Sequence, residues 1–545
     1  MKRLALFAVL MLLMACRAAP TAPLPTVAPT AATPIAAATA ALEQLATPTL
    51  VGTAAPTGTP ADGQGPSVPS SPTPAPVRLF DFAWDDRTPY TAGLVNPTND
   101  DVPGAPVYHL DIAIDDSLRV VEGRQTVFYT NQEDVALSEI VFHLHPNLLD
   151  SAITVSDLTV DGAAAAMSLS GAAQSILTVA LPAPLPPGGA ATVDLRFRTE
   201  VPTEIGRNYG VLAFTEGVLA LAHFYPMLSV YDHSGWNTAE ADIQGDLTYS
   251  DAGYYLVRVS APAGVVIVAS GVEVEEQGSG GAGERQTVTY AVGPARDFYL
   301  AAGDFAVVSE TVGATTINSY APAELGDGAA LALDVAAATL AINEARLSPF
   351  PYTELDIVTT PTTALGIEYP GLIVGTLRMY DISASTRAGV PYSDILESTI
   401  AHEVVHQWFY NLVGNDQLDQ PWLDESMTGY HTYRYYADRY GQAAGDAYFS
   451  TFAGRWELVD RAEIPIGRPV HTYQDAVYSA IVYGRGPFFL RELEETLGRE
   501  TFDAFLRDYV AQYRWDIAYT VNFRVLAETH CNCDLETLFA AWIYE

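Results

Sequence analysis

Hydrophobic and polar positions divide the chain into four textures. Residues 4–15 are one short apolar run, and residues 17–77 carry no period at all. From Val107 to about Val307, apolar and polar residues alternate in short stretches. "YHLDIAIDDSLRVVEGRQTVFYTN" breaks at Asp115-Asp116 and resumes toward Tyr129. "YYLVRVSAPAGVVIVASG" repeats the habit, with Pro262 and Gly264 as punctuation. A period of two predicts half-buried strands. After about Ala329 the texture changes: "ALALDVAAATLAINEARL" has no proline and predicts a helix, and helical patterns then run to the C-terminus. The expected class is α+β and multidomain, a β-rich domain over 80–308 followed by a mostly helical domain over 309–545.

One of the predicted helices carries chemistry. It runs through "ILESTIAHEVVHQWFYNLV" and is expected to stop at Gly414-Asn415. Asp394 can cap it, with Glu397 three residues on as in a capping box. His402 and His406 lie four apart and so share a face, where both can reach one ion. Glu403 points about a third of a turn away, which suits a base acting on water beside that ion. The competing reading is two histidines hydrogen-bonded on a polar helix face. A catalytic zinc needs a third protein ligand. The class with a third histidine ten residues after the first is excluded, because Leu412 stands there and Phe409 stands where that class has glycine. The other source is a following helix. "QPWLDESMTGYHTYRYYADRY" has Pro421 suited to a first turn, with Asp424 and Glu425 as candidates that spacing alone does not separate.

Composition narrows the partners. The 545 residues hold 65 acidic against 27 basic side chains, a net charge of −38. Such a surface repels phosphate backbones, so nucleic acid is not an expected partner. Lys2 and Arg3 precede the apolar run, which is too short to span a bilayer and suits a signal peptide. Its end, Leu13-Met14-Ala15-Cys16, resembles a bacterial lipobox. That resemblance implies a signal peptide over 1–16, lipid on Cys16, and an extracytoplasmic protein anchored to the bacterial cell membrane or surface. Residues 17–79 are read as a disordered tether rich in Ala, Pro and Thr, which cannot bury enough surface to offset the entropy of ordering. Its expected span is on the order of 40–50 Å.

His402-Glu403-x-x-His406-Gln407-Trp408, Asn411-Leu412-Val413 and Trp422-Leu423-x-Glu425 together resemble the zinc aminopeptidases of the membrane alanyl aminopeptidase and leukotriene-hydrolase family. The resemblance implies a saddle-like β-rich domain followed by a thermolysin-like catalytic domain, and ends without the helical C-terminal domain of many members. It implies one Zn2+ held by His402, His406 and Glu425, with Glu403 as base. "ALGIEYPG" resembles the family's G-A-M-E-N segment and places Gly366 and Glu368 at the substrate's amino end. "YSAIVYGRG" resembles its Y-x-K-G segment, with Tyr483 on the catalytic tyrosine. The departures are Leu365, Ile367 and Tyr369 around Glu368, Tyr410 for a usual glycine, and Arg485 for lysine. The family's amine-binding residue from the β-rich domain has no evident counterpart; Asp232 is a substitute, against its reading as a turn aspartate.

Cys531 and Cys533 flank one residue beside His530; a second metal site is weakly supported, and of a tight disulfide and two surface thiols an oxidising exterior favours the disulfide. The function expected is zinc-dependent release of N-terminal residues from peptides. A zinc endopeptidase or small-substrate hydrolase, and a non-catalytic surface-binding lipoprotein, stay open as alternatives; preferred residue and oligomeric state are not readable.

Overall fold

The computed structural model describes residue 80 and residues 84–544 apart from 241–244, 278–283 and 475. The leader with Cys16 and the tether lie outside the described residues. The alternating region forms an eight-stranded sheet. Its main strands are β1 (Val107–Ile114), β2 (Val120–Thr130), β3 (Ala152–Val160), β4 (Ala190–Glu200), β5 (Gly253–Pro262), β6 (Val272–Gln277) and β7 (Arg285–Ala295), in the order β6-β7-β5-β1-β2-β4-β3, closed by the short strand Ala163–Ala164. β1 pairs antiparallel with β2, Val107 opposite Phe128, and parallel with β5, Val107 opposite Tyr254. The break at Asp115-Asp116 is a turn, in which the Asp115 carboxylate accepts the N–H groups of Arg119 (2.7 Å) and Val120 (2.9 Å). Among the described residues, two four-stranded sheets and a two-stranded ribbon, Tyr231–Asp232 with Gly235–Trp236, complete this half.

The C-terminal half opens with a sheet rather than a helix. β8 (Ala306–Val312) and β9 (Thr315–Ala321) precede α1 (Gly326–Arg346), and β10 (Glu354–Thr360), β11 (Gly366–Tyr369) and β12 (Leu372–Thr376) follow it. The order is β8-β9-β10-β12-β11, with β11 antiparallel at the edge, Glu368 opposite Ile373. A division at 308/309 therefore cuts through β8. β11 is only four residues long, too short for a period to show in the sequence. α1 is long and apolar enough by composition to cross a membrane, but it packs on β8, β9 and the next helix, α2 (Tyr392–Val405). Then come α3 (Trp422–Tyr440), α4 (Gln442–Trp456), α5 (Gly486–Leu497), α6 (Arg499–Gln512) and α7 (Thr520–Cys531). Cys531, the last residue of α7, is joined to Cys533 by a disulfide.

α2 differs from its expected form at both ends. It starts after Pro391, which has an extended backbone and no capping side chain. Asp394 therefore lies inside the first turn, where a carboxylate complements the helix dipole. Glu397 accepts the Tyr435 and Tyr440 hydroxyls at 2.9 and 2.7 Å instead of closing a capping box. At the other end the helix stops at Val405, eight residues short of the expected Val413. Beyond it, Asn411, Leu412 and Val413 bond back to the carbonyls of His406, Gln407 and Trp408, and Tyr410 takes φ 126°. That backbone costs an L-residue on the order of 1–3 kcal/mol, so the surroundings must enforce it.

The enforcing group is Arg296, just past β7 and 1% exposed. Its guanidinium donates to the carbonyls of Tyr410 and Asn411 (both 3.2 Å), Leu412 (3.4 Å), Ser250 (3.2 Å) and Asp516 (2.6 Å). The Tyr410 hydroxyl donates to Asp297, the next residue, at 2.8 Å. Gly414 lies flat on this guanidinium, and a Cβ there would come within 2.5 Å of Cζ. Arginine is the one side chain with five donors in a planar fork. Replacing Arg296 by Met should lower the unfolding free energy by about 3 kcal/mol or more, since several buried carbonyls lose their donor at once. Urea denaturation followed by circular dichroism measures this; an unchanged midpoint would refute it.

Candidate active site

Three elements bring the site together. The last turn of α2 and the residue that caps it supply His402 and His406, the first turn of α3 supplies Glu425, and the edge strand β11 supplies Glu368. His402 Nε2 lies 3.2 Å from His406 Nε2 and 3.1 Å from Glu425 Oε2, and His406 Nε2 lies 3.5 Å from the same oxygen. Ligand atoms about 2.1 Å from a tetrahedral ion sit about 3.4 Å apart, so this triangle fits zinc. His406 Nδ1 faces the Phe409 carbonyl at 3.0 Å, which fixes the ring and leaves Nε2 for the ion. The backbone that reverses after α2 thus serves the metal site directly.

Asp424 and Glu425 are adjacent but take different roles. Glu425 points at both histidines. Asp424 Oδ1 accepts the Glu425 N–H at 2.8 Å and Oδ2 accepts the Gln417 amide at 2.8 Å. Glu368, His406 and Asp424 also lie close enough together to hold an ion, yet this set shares His406 with the first. With one free nitrogen on His406, the two sets are alternatives for one ion.

Strand alternation explains Gly366 and Glu368. They occupy one face of β11 while Tyr369 on the other face stacks on Tyr299 at 4.2 Å. Gly366 packs against the base: a Cβ there would collide with the Glu403 carboxylate and lie 2.6 Å from its Cγ and Cδ. Tyr483 sits in a wide turn at Ser479–Arg485, its ring stacked near His402 (6.1 Å between centroids) and its hydroxyl hydrogen-bonded to Glu425 Oε1. Arg485 anchors that turn by donating to the carbonyls of Ile464 (2.7 Å), Trp542 (3.0 Å) and Ala541 (3.0 Å).

Asp232 does not join these groups. It accepts the Ser234 N–H at 2.7 Å and the Asn237 amide at 3.0 Å, the work of a turn aspartate. The carboxylate that arrives from the β-rich half is Asp246, which lies within the field of Glu425, Asp424 and His406. No period or motif in the sequence marks it. Gln417 and Arg296 were likewise silent.

The electrostatics are dominated by buried carboxylates. Burial, then the Asp246 carboxylate, pushes the pKa of Glu368 well up; burial, then Glu425 and Asp424, does the same for Asp246. Burial also raises Glu403, with Glu368 adding and His406 opposing. Burial opposes charge on Glu425, but hydrogen bonds from both histidines outweigh it and lower its pKa. Burial and the Glu425 charge raise Tyr483, which keeps its hydroxyl protonated as a donor. Five carboxyl groups around two imidazoles leave a pocket that favours cations.

An HExxH pair on one helix with a glutamate from the next defines a glutamate-ligated metallopeptidase site. Residues 331–542 match the peptidase family M1 domain. Aminopeptidase M1-B of Oryza sativa subsp. japonica is 27% identical over 281 residues, 48% of this chain and 31% of its own length. Aminopeptidase 2 of Candida albicans is 27% identical over 247 residues, covering 43% and 26%. The chain thus spans about a third of the length of the curated relatives it matches. The M1 zinc metallopeptidase of Deinococcus radiodurans shares the fold, with a TM-score of 0.58 at 21% identity over 81% of this chain and 92% of that one. Over residues 331–542 the chain is therefore similar to the peptidase family M1 domain.

Two substitutions separate the neighbouring acids. Glu425→Ala should abolish stoichiometric zinc binding, whereas Asp424→Ala should retain it; atomic absorption after dialysis reads both, and the reverse pattern would assign the ligand to Asp424. Gly366→Ala should retain zinc and cut turnover by at least about tenfold, because the added methyl displaces the Glu403 carboxylate. Full turnover in that variant would mean that Glu403 has room to spare.

Proposed function

We propose that this protein is a zinc aminopeptidase that removes residues from the free amino end of peptides. The observation that carries the reading is a pair of carboxylates outside the His402, His406 and Glu425 triangle, buried Glu368 and half-buried Asp246, both within the field of His406. Zinc needs only His402, His406 and Glu425, so these acids are free for a second cation. A free α-ammonium is the cation that every peptide offers. Held there, it gains charge-assisted hydrogen bonds worth about 1.5–3 kcal/mol each. The M1 metallopeptidase of Deinococcus radiodurans, in a variant solved with a Tyr-Ser-Ala substrate, supports a peptide as the substrate class.

The residues divide the work. Bound zinc supplies Lewis acidity, polarising the carbonyl and lowering the pKa of water to about 7. Glu403 takes the proton from the attacking water and returns it to the leaving nitrogen. The protonated Tyr483 hydroxyl donates to the oxyanion that develops at the scissile carbonyl. Glu368 and Asp246 fix the substrate's amino end and so set which bond reaches Glu403. Attachment to a bacterial membrane through lipid on Cys16 completes the proposal, on the strength of the leader sequence alone.

Glu403→Gln should keep zinc and lower kcat by a factor on the order of a hundred or more, the usual scale for loss of a general base. Near-normal turnover in the zinc-loaded variant would remove Glu403 from that role. The aminopeptidase reading itself is tested with matched peptides. N-acetylation should cut kcat/KM by a factor on the order of a hundred or more, because it removes the charge and leaves buried acids unpaired. Equal cleavage of free and acetylated peptides would make the protein an endopeptidase with the same zinc chemistry.

A further inference from the structure

Between the carboxylates of the amine pocket lies a neutral side chain. Gln417 is 2% exposed. Its amide nitrogen donates to Glu368 Oε1 at 3.2 Å and to Asp424 Oδ2 at 2.8 Å. Its amide oxygen accepts the Thr248 hydroxyl at 3.2 Å. A glutamine amide has two N–H donors, and each serves one acid. The partners come from three places: Glu368 from β11, Asp424 from the first turn of α3, and Thr248 from the segment that carries Asp246, two residues earlier. Without the crossbar, two buried carboxylates would be left without a donor between them, and each would turn toward another partner or take up a proton.

We propose that Gln417 is a positioning residue for recognition of the substrate's amino end. It holds Glu368 at a fixed depth, keeps Asp424 turned away from the zinc ligands, and ties both acids to the loop of Asp246. The proposal rests on the aminopeptidase reading and deepens it. Zinc affinity is set by His402, His406 and Glu425, while the distance measured from the chain end is set through Gln417, which touches none of those three. A glutamine suits the task on two counts. It supplies two donors, and it adds no charge to a pocket already crowded with acids. A glutamate there would add a further carboxylate and remove both donors. A methionine keeps the length and apolar volume but has nothing to donate.

The test uses the full chain loaded with zinc and a pair of aminoacyl substrates, one free and one N-acetylated. Gln417→Met should raise KM for the free-amine substrate by about tenfold, leave kcat within about threefold, and leave zinc stoichiometry unchanged. Gln417→Glu should raise KM at least as much. Thr248→Val, which removes the hydroxyl that braces Gln417 and also meets Tyr410, should raise KM by about threefold. A purely structural role would lower kcat, zinc content and melting temperature together, and that pattern overturns the proposal. Glu368→Ala is the reference. If it raises KM while Gln417→Met and Thr248→Val do not, Gln417 has no part in recognition and the aminopeptidase reading stands. If Glu368→Ala also leaves KM unchanged and acetylated substrate is cleaved equally, the amine pocket itself falls and takes this proposal with it. Should Gln417→Met fail to fold, Thr248→Val decides: a raised KM supports the crossbar and an unchanged one overturns it.

Discussion

A single buried guanidinium sets the geometry on which the rest depends. Arg296 leaves the large β sheet and binds the carbonyls of Tyr410, Asn411 and Leu412, the residues that follow the metal-binding helix. It thereby ends α2 early and forces the chain to reverse at Tyr410, whose φ of 126° no local preference would select. The reversal puts the Phe409 carbonyl against His406 Nδ1, which fixes the ring and points Nε2 at the ion. The β-rich half is therefore a structural part of the metal site. A free arginine charge in that interior would be prohibitive; five carbonyl acceptors make it tolerable.

The second constraint is charge. The site concentrates acids from separate elements in a volume from which water is largely excluded. Like charges at that distance cannot all ionise without cations, and burial raises most of them. Glu425 alone goes the other way, because two imidazoles hold its charge. The arrangement favours cations, and this is what the proposal of a metal beside a substrate ammonium rests on. It also explains why a neutral amide, that of Gln417, sits between the remaining acids.

The legible parts of the site are those with local spacing. His402 and His406 share a helix face by their separation of four, and Glu403 follows from the same helix. The first turn of α3 was legible through Pro421, yet Glu425 and Asp424 stayed unresolved until the structure showed which one turned inward. Glu368 and Tyr483 were reachable only through resemblance, since a four-residue edge strand and a wide turn carry no period. Asp246, Gln417 and Arg296 were not legible at all. Thr248 and Gln417 are 169 residues apart in the chain, and no local pattern encodes such a meeting. The overall division into a β-rich half and a helical half was visible in periodicity. The division drawn at 308/309 falls inside β8, because β8 and β9 continue the strand texture into the second half, and the end of α2 was misplaced because the signal to stop is Arg296, more than a hundred residues upstream.

All of this chemistry depends on zinc being held between the end of α2 and the first turn of α3. X-ray absorption at the zinc edge on the purified, zinc-loaded protein measures this most directly. The account predicts two imidazole nitrogens at about 2.0–2.1 Å and one carboxylate oxygen at about 2.0–2.2 Å, with the imidazole signal halved in His402→Ala. A single imidazole in the parent protein, or a signal unaltered in His402→Ala, would place the ion on the Glu368, His406 and Asp424 set and contradict the account.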